Sequence, residues 1–325
     1  MSTTNYNFSY NDVLEAHDRI KKHVKETPLE QSFYLGSKER NYFFKLESFQ
    51  RVKSFKIRGA LNKMLSLNEQ EKAKGVATIS SGNHGSAVSY AASLIGIDKA
   101  VVIVPETTPQ SKVERIKYFG AEVMLLGKGY DEAHALGMKY IEENDLTYID
   151  AYYDDPKIYG GQGTVAIELL QQNPDIDTIV VPIGGGGLIT GIAVAAKAIK
   201  PSIRVVGVQT EACPAMIKSY EDNVFYSDYP CDESLCDALV GGVGALSYAM
   251  AKDYVDDFIC VSEESIGKAV SFMAKNEKYV AEAGSCTTIA AVKDFGERIG
   301  GKNIALVISG GNIDGDVLCR LLSQY

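Results

Sequence analysis

The sequence predicts an α/β fold of two doubly wound domains with mainly parallel sheets, the smaller inserted in the larger. Three observations carry that expectation. Short, continuous apolar runs such as Val76-Ala77-Thr78-Ile79 and Ala100-Val101-Val102-Ile103-Val104 alternate with helix-length stretches, the pattern of parallel strands covered on both faces. The alternation breaks once, at Asp154-Asp155-Pro156, and then resumes. The 325 residues exceed what one small core holds. The expected division is a small domain over 53–153 and a large one made of 1–52 and 154–325.

Taken in order, Val13, Leu14, Ile20 and Val24 stand at near-helical spacing and predict a helix over 11–25. It stops at Thr27-Pro28, because the residue before proline disfavours the helical region. Asn41-Tyr42-Phe43-Phe44-Lys45-Leu46-Glu47 reads as a strand. A helix begins at or just after Lys56 and is expected to run to about residue 74. Strands over 76–79, 100–104, 122–126 and 147–150 then alternate with helices over 86–94, 110–119 and 130–143, Pro105 stopping the second of these strands. Beyond the break, helices are expected over 163–172, 188–199, 213–220, 265–275 and 286–299, and strands over 178–183, 204–209 and 304–308. Residues 221–236 are polar and irregular, and read as a surface loop.

Composition narrows the function class. The apolar fraction of 46% and charged fraction of 23% are those of an ordinary soluble globular protein. A net charge of −9 argues against nucleic acid and against an anionic membrane as partner. The N-terminus is polar, with no secretory signal expected. No apolar run reaches the roughly 18 residues of a membrane helix. Cys213, Cys231, Cys236, Cys260, Cys286 and Cys319 form no CxxC pair and are too sparse for a disulfide scaffold. They read as buried, reduced, small apolar residues in a cytoplasmic protein.

Four short stretches carry chemistry. Ser54-Phe55-Lys56-Ile57-Arg58-Gly59-Ala60 puts a lysine at a helix N-terminus. The positive field there, with partial burial, favours the neutral amine, which condenses with aldehydes. Gly184-Gly185-Gly186-Gly187 follows the strand ending at Ile183 and opens a helix. Free N–H groups at such a turn make a nest for a phosphate monoester. Ser80-Ser81-Gly82-Asn83-His84-Gly85 also joins a strand to a helix, and its N–H groups suit a carboxylate. A Ser/Asn helix cap explains those residue types but not the spacing of Gly82 and Gly85. Ser309-Gly310-Gly311-Asn312 ends the last strand. Ligands bind at the carboxyl ends of strands in such folds. A fifth stretch, Gly161-Gln162-Gly163-Thr164-Val165-Ala166, fits the dinucleotide fingerprint G-x-G-x-x-A but follows a loop rather than a strand, so a nicotinamide oxidoreductase is the remote alternative.

In this order and spacing, the four stretches resemble those of the pyridoxal-phosphate enzymes of the serine/threonine dehydratase and serine racemase family, over residues 26–312. The resemblance implies pyridoxal 5′-phosphate in the cleft between two domains, bound to Lys56 and contacted by Phe55. It implies that Gly184, Gly185, Gly186, Gly187 and Leu188 hold the phosphate. Asn83 would meet the ring's 3′-oxygen and Ser309 its nitrogen. A neutral hydroxyl cannot keep that nitrogen fully protonated, and the weaker electron sink favours loss of a β-substituent. Ser80, Ser81, Gly82, Asn83 and His84 would hold the substrate, with Ser81 across the cofactor from Lys56. His84 reads as a structural hydrogen-bonder rather than a base.

The implied activity is β-elimination of water from L-threonine or L-serine, giving a 2-oxo acid and ammonia. Serine racemase is the alternative, and a homodimer is expected. Three departures bear on this choice. Metal-binding members carry a carboxylate where this chain has Gln209, with Cys213 and Ala215 at other ligand positions, so no metal site is expected. Tyr153 stands where racemase-type sequences have asparagine and many dehydratases an aromatic residue. Ser81 leans towards racemase, because dedicated threonine dehydratases often have alanine there. No C-terminal regulatory domain is expected after Asn312.

Overall fold

The computed structural model describes residues 6–151 and 155–325. The chain opens with α1 (Tyr10–Ile20), which buries Val13, Ala16 and Ile20. Strands β1 (Leu29–Gln31) and β2 (Asn41–Leu46) follow as an antiparallel pair. A single turn at Glu47–Phe49 leads to α2 (Lys56–Leu65) and α3 (Glu69–Ala73). Next come β3 (Val76–Ile79), α4 (Asn83–Ile95), β4 (Ala100–Val104), α5 (Gln110–Tyr118), β5 (Glu122–Leu125), α6 (Tyr130–Glu143) and β6 (Thr147–Tyr148). After these stand α7 (Pro156–Gln172), β7 (Thr178–Pro182), α8 (Gly187–Ile199), β8 (Arg204–Thr210) and α9 (Ala215–Glu221). The chain closes with α10 (Ala245–Tyr254), β9 (Asp257–Val261), α11 (Glu263–Phe272), α12 (Ala283–Ile299), β10 (Asn303–Ile308) and α13 (Gly315–Gln324).

The strands form two sheets. One has six strands in the order β1-β2-β10-β7-β8-β9, and the other four in the order β5-β4-β3-β6. Every pairing is parallel except β1 with β2. The fold class is therefore the α/β, mainly parallel class that the alternation predicts. The central strands β4 and β7 are buried at every position, as strands covered on both faces must be.

Several elements differ from the expected pattern. The helix begun at Lys56 does not reach residue 74: it stops at Ser66, and Asn68 restarts a new one by accepting from Glu71 N at 2.9 Å. Helix α7 begins at Pro156, seven residues earlier than expected, with the Asp155 side chain capping Lys157 N at 2.8 Å. The stretch Gly161-Gln162-Gly163-Thr164-Val165-Ala166 thus lies inside a helix and presents no helix N-terminus. Its glycines serve packing: a Cβ on Gly161 would stand 2.6 Å from Gly59 Cα, and one on Gly163 2.7 Å from Gly191 O. Strand β1 and helix α10 carry too little periodicity to be read from sequence. Strand β9, with the apolar run Phe258-Ile259-Cys260-Val261, and helix α13, which packs Val317, Leu318 and Leu321 from one face, carry a pattern that the expectations above omit.

The cysteines also depart from expectation. Cys213 and Cys231 form a disulfide, Cys319 is exposed, and Cys260 is partly exposed. Of the free thiols, Cys236 and Cys286 alone are buried. The segment after α9 folds back on the β8–α9 turn, with Asp232 N donating to Ala212 O at 2.9 Å, and brings Cys231 to Cys213.

The junction of the two sheets is held by buried charge. Arg58, on the first turn of α2, is fully buried and forks onto two carboxylates. Its Nε and Nη2 donate to Glu47 at 2.7 and 2.8 Å. Its Nη1 and Nη2 donate to Glu168 of α7 at 2.6 and 2.7 Å. Lys45 Nζ reaches the same Glu168 at 2.9 Å and Thr27 O at 2.7 Å. Two cations and two anions therefore neutralise one another without water. Burial opposes the Arg58 charge, yet Glu47 and Glu168 outweigh it and raise the pKa. Breaking such a set leaves an uncompensated charge. Arg58→Met should lower stability by about 3–5 kcal/mol, read as the urea midpoint. Lys72→Met, which removes an exposed pair with Glu69, should lower it by about 1 kcal/mol or less.

Candidate active site

The carboxyl ends of β3, β7 and β10 open on one cavity of about 580 Å³. Phe55, Lys56, Ser80, Ser81, Gly82, Asn83, His84, Gly184, Gly185, Gly186, Gly187, Leu188 and Ser309 all line it. Residues from four separate segments meet there because each segment ends a parallel strand or starts the next helix.

Lys56 is the first residue of α2. Its approach is fixed by main-chain bonds to the end of β10: Phe55 N donates to Ser309 O at 3.0 Å and Gly311 N to Lys53 O at 2.9 Å. Lys56 Nζ donates to Ala151 O at 3.1 Å. Burial lowers the Lys56 pKa from 10.5 to about 8, against the opposing pull of the Asp150 and Glu282 carboxylates. Burial thus favours the neutral, nucleophilic amine.

The glycine turn between β7 and α8 is shaped as a cradle. Gly186 has φ +96°, and a Cβ there would stand 2.5 Å from Ser247 Cβ. A Cβ on Gly184 would press on Leu239 Cα at 3.1 Å. The turn is braced by Gly244 N donating to Gly185 O at 2.9 Å. Among the described residues, the N–H groups of Gly185, Gly186, Gly187 and Leu188 meet no protein acceptor. Four free donors at the start of a 13-residue helix fit a phosphate monoester.

Asn83 opens α4 and is held from both sides. Its Nδ2 donates to Glu282 Oε1 and Oε2, both at 3.0 Å. Its Oδ1 accepts from Asn312 Nδ2 at 2.7 Å. Ser309 Oγ lies 3.0 Å from Ser285 Oγ. Ser285 Oγ also lies 2.8 Å from Gly310 O, and either serine hydroxyl can be the donor in their contact, so Ser309 can turn its hydrogen or a lone pair towards another partner. His84 is buried, with Nε2 3.1 Å from Ile149 O. Burial, then the Lys56 charge, lowers its pKa to about 3. It stays neutral at any working pH, which suits a structural hydrogen-bonder.

Several cavity residues carry no signal in the sequence. Glu282 reads as one acid among small residues, Val280-Ala281-Glu282-Ala283-Gly284, and only that context hints at burial. Tyr130, Asp131, Arg115 and Asp228 also face the cavity. Lys112 of α5 and Asp237, both lining the cavity, pair at 2.6 Å. Gln209 is buried and accepts from Ile217 N at 3.0 Å, satisfied as a local cap. No group of three or more His, Cys, Asp or Glu side chains that could hold a metal occurs among the described residues. Tyr153 lies outside the described residues.

Comparison with known proteins gives concordant findings. Residues 20–310 match the family described as pyridoxal-phosphate dependent enzyme. The L-threonine ammonia-lyase of Thermotoga maritima is 37% identical over 315 residues, covering 96% of this chain and 78% of that one. A catabolic L-threonine dehydratase of Staphylococcus aureus is 38% identical over 312 residues, covering 94% of this chain and 89% of that one. The solved structure of maize serine racemase superposes with a TM-score of 0.91 at 34% identity, covering 98% of each chain.

The depressed Lys56 pKa makes a direct expectation. Reductive trapping of a simple aldehyde on Lys56 of the apoprotein should speed up as pH rises to about 8 and then level off. An ordinary lysine would keep gaining towards about 10.4. Peptide mapping of the trapped adduct against pH measures this, and a rate still climbing at pH 10 contradicts it.

Proposed function

The chain belongs to the pyridoxal-phosphate dependent enzymes, and on that footing we propose that it is a β-eliminating ammonia-lyase for L-threonine or L-serine. One observation carries the reading: Lys56, Asn83, the glycine turn at 184–187 and Ser309 share one cavity. When bound, the cofactor supplies an aldehyde that condenses with amines and a ring that delocalises negative charge from the substrate's Cα. The N–H groups of the glycine turn would hold its phosphate, Asn83 its phenolic oxygen and Ser309 its nitrogen. Lys56 Nζ would hold the aldehyde, and as a free amine with its pKa lowered to about 8 it would take the proton from the substrate's Cα. The residues 80–84 orient the substrate carboxylate at the start of α4. Ser309, a neutral hydroxyl, would not keep the ring nitrogen charged, which favours loss of the β-hydroxyl: the Cα–H and Cβ–O bonds break, a Cα=Cβ bond forms, and the proton given up by Cα is matched by the one that turns the departing hydroxide into water. The released enamine hydrolyses to a 2-oxo acid and ammonia.

A racemase side activity is the second reading. It is supported by Ser81, whose hydroxyl lines the cavity and meets no protein partner among the described residues. Exposed Phe33, Tyr34, Phe49 and Val280 support assembly as a homodimer. We assign 53–153 as the smaller domain and the rest as the larger. No helix among the described residues is long and apolar enough to cross a membrane. A cytoplasmic setting suits the four free thiols, with the Cys213–Cys231 pair as the exception.

Lys56→Ala should remove deamination of L-threonine and L-serine, by at least the roughly 10²- to 10⁴-fold owed to the base, while circular dichroism stays unchanged. Ammonia release near the wild-type rate would sink the assignment. Ser81→Ala should keep L-serine deamination within about tenfold, because the base remains. D-serine formation, followed by chiral chromatography, should collapse. Wild-type enzyme that makes D-serine faster than pyruvate would make racemase the better description.

A further inference from the structure

Glu282 is a carboxylate in an unfavourable place. It is 7% exposed, and no lysine, arginine or histidine pairs with it among the described residues. A buried charge without a cation is costly, and an apolar or amide side chain would serve packing better. Its surroundings are nonetheless built to receive it. A Cβ on Gly310 would stand 2.5 Å from Glu282 Oε1. Glu282 N donates to Gly310 O at 3.1 Å, and Asn312 N donates to Glu282 Oε2 at 3.3 Å.

The bond to Asn83 is specific in kind. Asn83 Nδ2 lies 3.0 Å from both carboxylate oxygens. Two oxygens on one carbon subtend too narrow an angle at that nitrogen to engage both its hydrogens. Glu282 therefore takes one hydrogen and leaves the other. A carboxylate only accepts, so it must face Nδ2 rather than Oδ1. Asn312 Nδ2, which only donates, takes Oδ1 at 2.7 Å. The amide is thereby locked in one of its two orientations.

We propose that Glu282 is a positioning residue that, with Asn312, fixes the Asn83 amide so that its remaining hydrogen is offered to the phenolic oxygen of the bound cofactor. The inference rests on the reading of Asn83 as that oxygen's partner. Protonated, Glu282 becomes a donor as well, and the lock loosens. Burial raises its pKa to about 7. The Asn83 amide, Asn312 N and Lys112 pull it down, while Asp237 pushes it up. Lys56 and the Cys286 thiol also feel its charge. The ionised, locking form thus gains as pH rises through about 7.

The test uses the holoenzyme. Its visible absorbance without substrate should titrate near pH 7, and that titration should be absent in Asn83→Ala. Glu282→Gln should still be fixed to the cofactor at Lys56 by borohydride, with a shifted band and no titration near pH 7. Its kcat should fall about tenfold or more, with KM changed less than about threefold. Combined with Asn83→Ala, Glu282→Gln should change the spectrum no further. A Glu282→Gln band and titration like wild type, or spectral effects that add in the double variant, would overturn the proposal. Wild-type holoenzyme whose cofactor borohydride does not fix to Lys56 would overturn the site reading itself, and the proposal with it.

Discussion

Arg58 is the interaction on which the site depends. It sits two residues after Lys56, on the same first turn of α2. Its fork onto Glu47 and Glu168 binds that turn to the end of β2 and to α7 at once. A bidentate guanidinium–carboxylate pair fixes direction as well as distance. Here two such pairs share one guanidinium, so the turn has little freedom to rotate. Gly59, wedged against Gln162 and Ile158 O of α7, holds the same contact by close backbone approach. The root of the lysine side chain is thereby held in place.

The second constraint is the meeting of loops at the strand ends. The α4 start is tied through Asn83 to Glu282 at the head of α12 and to Asn312 beyond β10. The Lys56 approach is tied to the same end of β10 through Ser309 O and Lys53 O. The loop ending at Gly244 braces the glycine turn. Thus the Lys56 approach, the start of α4 and the head of α12 are tied together at the end of β10, and the glycine turn is tied separately to the Gly244 loop, by short polar or main-chain bonds. Side chains held in this way need little reorganisation when a ligand enters.

What the sequence made legible was local. Four glycine- or lysine-bearing turns could be read because turn chemistry is written in adjacent residues. The strands of the parallel sheets could be read because a run such as Ala100-Val101-Val102-Ile103-Val104 has no other stable home. What stayed hidden was non-local. Arg58 and Glu168 are 110 residues apart, and Asn83 and Glu282 199. No pattern in one sequence pairs such residues. The Cys213–Cys231 bond was missed for the same reason: an irregular segment brings them together. Gly161-Gln162-Gly163 misled by composition, because small residues for helix packing look like small residues for a phosphate. Strand context was the discriminator, and it held.

The Lys112–Asp237 pair stands in the cavity lining and joins α5 to the loop that faces the glycine turn. Asp237 is 67% exposed and Lys112 26%, so solvent and salt screen the attraction. Such a pair contributes about 1 kcal/mol or less. That corresponds to a closed-to-open ratio of only a few to one. The contact between α5 and that loop is therefore easily broken, and this pair does not pin one side of the cavity to the other.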